Sequence, residues 1–65
     1  MKALVKIYFK SNNKYEYIVS GEDVESRARE HAKRIITEGF WDKTDDGSEV
    51  FYPVDQIYKV KVKWL

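Results

Sequence analysis

The chain has no cysteine, one histidine, one proline and three glycines among its 65 residues. Without cysteine there is no disulfide framework, no thiolate nucleophile and no cysteine-based zinc site, so the fold must rest on apolar packing. No apolar run approaches the length of about 20 residues that a membrane-spanning helix needs. The first ten residues alternate apolar with charged side chains, unlike the continuous apolar core of a signal peptide. Charge of one sign is lacking as well. Twelve Lys and Arg against eleven Asp and Glu leave a net charge of +1, and no global field draws the molecule to nucleic acid or a lipid surface. These absences lead us to expect a soluble, cytoplasmic protein, complete from its own Met1 and free of membrane contact.

What the chain does have is aromatic residues: five Tyr, three Phe and two Trp. A domain this small buries only about 60% of the surface its unfolded chain exposes. Large rings, each able to bury about 150–250 Å², are how so short a chain can build a core. The length allows one domain, residues 1–65.

Residues 2–10 alternate strictly, with Ala3, Val5, Ile7 and Phe9 on one side and Lys2, Leu4, Lys6, Tyr8 and Lys10 on the other, the period of a half-buried strand. A three-residue loop over Ser11, Asn12 and Asn13, with Asn13 left-handed, would pair Phe9 with Tyr15, Ile7 with Tyr17 and Val5 with Val19. A two-residue Asn-Asn loop would instead bring Glu16 to the core side, opposite Phe9. The longer loop is therefore expected, at the cost of Lys10 opposite Lys14.

Between Ser20 and Phe40 the sequence carries both ends of one amphipathic helix. Ser20 and Asp23 have the spacing of a short capping box, and Val19 and Val24 that of a hydrophobic staple. Gly39 suits a left-handed stop, with Phe40 folding back towards Ile35. The spacing predicts a helix over residues 21–38 with an apolar stripe of Val24, Ala28, Ala32, Ile35 and Ile36. Its charged residues form a solvated face, with Glu30 and Arg34 at the favourable i, i+4 spacing.

Downstream, Asp45-Asp46-Gly47 can close a hairpin between residues 41–44 and 48–51. Pro53 cannot donate to a sheet ladder, so residues 49–53 read as an edge strand, and residues 54–56 as a turn. The last segment alternates again, with Tyr58, Val60, Val62 and Trp64 opposed to Lys59, Lys61 and Lys63. Placing the two long alternating strands in the middle gives an α+β domain, β-β-α-β-β, with one four-stranded sheet in the order 2-1-4-3 and the helix across one face.

Few motifs carry chemistry. DKTDDG at residues 42–47 matches part of a calcium loop, but Thr44 stands at the third position and Pro53 at the twelfth, where ligands are required. An acidic turn explains it better. His31, beside the helical stripe, has no nucleophile or second ligand within helical reach and reads as a packed border residue. No glycine-rich phosphate loop is present. We expect no enzymatic activity, no cofactor and no bound metal.

The remaining candidate is the sheet face away from the helix, where Lys2, Lys6, Tyr8, Lys10, Lys59, Lys61 and Lys63 gather, with Leu4 and Ile18 among them. Glu16 and Glu49 on the edge strands would offset part of the mutual repulsion. Such a face fits a protein partner, through its lysines or through the edge strand KYEYI. The alternative is single-stranded nucleic acid, with Tyr8 available for stacking. The plainer reading is that the lysines only keep a one-sided sheet soluble and guard its edges. A monomer or a weak homodimer through residues 14–18 is expected. The succession of hairpin, helix and further strand resembles small phage proteins that inhibit a host polymerase by docking on it; the resemblance implies a docking protein and, resting on element order, assigns no residue.

Overall fold

The computed structural model describes every residue from Met1 to Leu65. Strand β1 (Lys2–Phe9) pairs antiparallel with β2 (Lys14–Ser20) on one side and with the last strand, β5 (Ile57–Trp64), on the other. Helix α1 (Val24–Glu38) crosses this three-stranded sheet, and β3 (Phe40–Lys43) and β4 (Glu49–Tyr52) form a separate two-stranded hairpin. The expected single four-stranded sheet in the order 2-1-4-3 does not form. Residues 49–52 pair with residues 40–43 across the acidic turn instead of with β5. Pro53 and the short 3-10 turn Val54–Gln56 redirect the chain between β4 and β5, so the two do not continue as one ladder. Aromatic packing then fixes the hairpin at the end of the sheet. The Tyr52 ring stacks on Phe9 at 4.3 Å, and Phe40 lies 5.3 Å from Tyr15 and 6.2 Å from Tyr17.

The core takes the odd positions of the central strand, Ala3, Val5, Ile7 and Phe9, with Val19, Val24, Ala28, Ile35 and Ile57. No polar side chain is buried. Alanine at position 28, fully buried, lets the helix backbone lie close over β1. The stripe is narrower than its spacing suggests, since Ala32 is half-buried and Ile36 is exposed.

Three local expectations need correction. The β1–β2 loop falls one residue early: Asn12, not Asn13, has positive φ (70°), and Phe9 faces Asn13 through an N–H to C=O bond of 2.9 Å. Every pair then shifts by two, to Ile7 with Tyr15, Val5 with Tyr17 and Ala3 with Val19. Because strands have a period of two, each side chain keeps its face and the core is unchanged. The helix begins at Val24, not at Gly21, and its N-cap is Asp23 at φ 54° with no side-chain cap. Ser20 stays in the ladder opposite Lys2, and the guanidinium of Arg27 donates to the carbonyls of Ser20 (2.9 Å) and Glu22 (3.2 Å), fixing the turn from strand to helix. Finally, a bulge opposite Tyr8/Phe9 places Ile57, and not Tyr58, against the core; Tyr58 turns outward.

Gly39 ends the helix, donating its N–H to Ile35 C=O at 3.0 Å, with φ 93° and ψ −175°. This is an extended region that only glycine enters freely, not the left-handed helical one. A Cβ here would stand 2.6 Å from the Tyr52 carbonyl oxygen. The close passage of β4 thus demands glycine a second time. No helix is long and apolar enough to cross a membrane.

Candidate functional site

The two registers assemble the sheet face opposite the helix row by row. Lys14, Tyr8 and Lys59 stand abreast; then Glu16, Lys6 and Lys61; then Ile18, Leu4 and Lys63, with Lys2 beyond them beside Ser20. Six lysines therefore share one uncovered face with a single acid. Strands lie about 4.8 Å apart, so lysines directly opposite, such as Lys6 and Lys61, raise each other's electrostatic energy. Glu16 offsets part of this through an ion pair with Lys6 at 3.7 Å. That pair exists because of the two-residue shift in register. Lys61 and Lys63 have no acidic partner.

Of the seven residues expected to form the site, six stand on this face. Lys10 does not, because the chain leaves the ladder at Phe9 and the Lys10 N–H bonds to Gln56 C=O at 2.9 Å in the turn region. Lys14 takes a place on the face that the alternation had not assigned to the site. Glu49, expected to temper the lysines from an edge strand, lies in the separate hairpin. Tyr8 is half-buried, and the Lys59 ammonium sits 5.0 Å above its ring and 5.6 Å from that of Tyr58. The ring is occupied by a cation–π contact rather than offered as a bare stacking platform.

The counterpart of the basic face is acidic. Residues 40–56 carry Asp42, Asp45, Asp46, Glu49 and Asp55 against Lys43 alone. The net charge of +1 conceals a strong separation of sign. Within the DKTDDG turn, the Asp46 carboxylate accepts hydrogen bonds from the Thr44 hydroxyl and from the Ser48 N–H (2.9 Å). Those bonds, the Thr44 hydroxyl first, lower the Asp46 pKa to about 2. The carboxylate is committed to closing the turn, and no three His, Asp or Glu side chains gather to hold an ion.

A second surface lies on the helix side, beside the free edge of β2. Tyr15, Tyr17, Phe40 and Trp41 with His31, Arg34 and Ile35 line a groove of about 470 Å³. The Tyr17 hydroxyl and His31 Nδ1 are 2.8 Å apart, so the lone histidine is tied to a groove-lining ring. Burial, and then the neighbouring Tyr15 hydroxyl, raise the Tyr17 pKa above its ordinary value. Arg34, expected to pair with Glu30, makes no ion pair. The sequence carried a signal for this groove in the tyrosines of KYEYI and the ring pair after Gly39, but their meeting depends on where the hairpin docks.

Comparison with protein-family models, curated proteins and solved structures returns no match to this chain.

Proposed function

We propose that the protein is a non-enzymatic interaction module that binds an acidic protein surface through the lysine-bearing face of its sheet. One observation carries this reading: six lysines, one glutamate and a cross-strand aliphatic pair, Leu4 and Ile18, share a face that no other element covers. Electrostatic complementarity would steer the encounter, and the aliphatic pair would supply apolar area at its centre. Nucleic acid is the weaker fit. A sheet platform for single strands presents exposed rings to the bases, whereas here Tyr8 is the one ring in the three rows, lies under Lys59 and is flanked by Lys14 and Lys6.

The test is fluorescence anisotropy at low salt with a 20-residue polyglutamate peptide and, in parallel, a 20-nucleotide oligothymidine. Binding of the peptide, weakened about tenfold by Lys61→Glu, the equivalent of about 1.4 kcal/mol, is the expected result. Tighter binding of the oligonucleotide, with a steep salt slope, would transfer the face to nucleic acid. Binding of neither would leave the lysines a role in solubility alone.

A further inference from the structure

The two outer edges of the sheet are treated differently. That of β5 is interrupted by the bulge at Tyr58 and carries Lys59, Lys61 and Lys63, devices that discourage strand pairing. Strand β2 has neither proline nor bulge along its seven residues and carries one charge of each sign, Lys14 and Glu16. Its ladder is anchored by the Phe9 N–H to Asn13 C=O bond. The alternation of an antiparallel pair therefore turns the N–H and C=O of Glu16 and Ile18 outward, away from β1. An open template for one more strand results.

A strand laid along this edge would send alternate side chains to the helix side, into the aromatic groove. Two features there define what fits. Tyr15, Tyr17, Phe40 and Trp41 offer ring surface to an apolar side chain. At the same groove stands the guanidinium of Arg34, without an acidic partner, whose planar fork suits a carboxylate.

We propose that the edge of β2 and this groove bind an extended peptide segment bearing an apolar side chain and, two residues away on the same face, a carboxylate. The segment extends the sheet, so backbone hydrogen bonds supply affinity and the groove supplies selectivity. This site is distinct from the lysine face, and each can fail without the other.

A suitable probe is the peptide acetyl-GTETFTETG-amide. It places a carboxylate two residues to either side of the phenylalanine, so strand direction does not matter, and presents only neutral threonine towards the lysine face. Added at saturation to the full-length, ¹⁵N-labelled protein, it should slow amide exchange at Glu16 and Ile18 at least tenfold. Arg34→Ala, at an exposed helical position where alanine is well tolerated, should weaken binding at least tenfold, as should replacing the peptide's phenylalanine with alanine. Lys61→Glu should leave binding unchanged. Absence of protection at Glu16 and Ile18 would overturn the proposal, as would an Arg34→Ala variant that binds equally well. Protection of these amides without peptide, rising with protein concentration, would assign the edge to a second copy of the chain and overturn it too.

Discussion

Asp46 shows how one side chain can hold a turn in a chain with few other means of fixing its loops. Its folded pKa of about 2 lies below the ordinary carboxylate value because its ionised form accepts bonds from Thr44 and Ser48. A lowered folded pKa means that the stabilisation is present above the unfolded value near 4 and is lost as pH falls towards 2. Loosening of the β3–β4 turn in that window is therefore expected, visible as lower protection of the Gly47 and Ser48 amides relative to their intrinsic exchange rate at each pH. Asp46→Asn should flatten this acid response, and an unchanged response would show that other carboxylates cause it. Arg27 likewise holds a turn with one side chain, donating to the Ser20 and Glu22 carbonyls between β2 and α1, where the cap expected from Ser20 is absent. No local pattern announces such a long-armed contact, because it depends on where the strand ends.

Among the elements, those with a buried face were legible from the sequence. Both long strands and the helix owe their places to periodicity, and the buried positions Ala3, Val5, Ile7, Val24, Ala28 and Ile35 follow from it. A period of two, however, cannot distinguish registers that differ by two residues, and the choice fell to the loop, where Asn12 takes the positive φ. The hairpin was legible as a hairpin but not as a separate sheet. Its docking depends on rings from two strands, Phe9 of β1 and Tyr15 and Tyr17 of β2, meeting Phe40 and Tyr52, and sequence spacing carries no such information. The candidate face divides the same way: its lysines were readable from alternation, whereas the Lys6–Glu16 pair and the loss of Lys10 follow from the observed register. Tyr52→Ala should detach the hairpin, at a cost of about 2 kcal/mol. Hydrogen exchange should then show β3 and β4 amides unprotected while β1 and β5 amides remain slow; equal loss everywhere would mean that the hairpin is part of the cooperative core.

At the scale of the whole molecule, the near-neutral balance of charge hides its arrangement. Lysines are gathered on the uncovered sheet face and acids on the hairpin and the segment that follows it, so the molecule presents two poles to any partner. A helix laid over the opposite face supplies the core and leaves the lysine face uncovered. The groove beside β2 adds a second, apolar surface with a single free guanidinium. The central claim, that the lysine face is the docking surface, is tested most directly by mapping ¹⁵N–¹H shifts during titration with polyglutamate at low salt. The account predicts the largest changes at Leu4, Lys6, Ile18, Lys61 and Lys63, with little change along the exposed side of α1. Changes centred on the helix or the hairpin, or none at all, would contradict it.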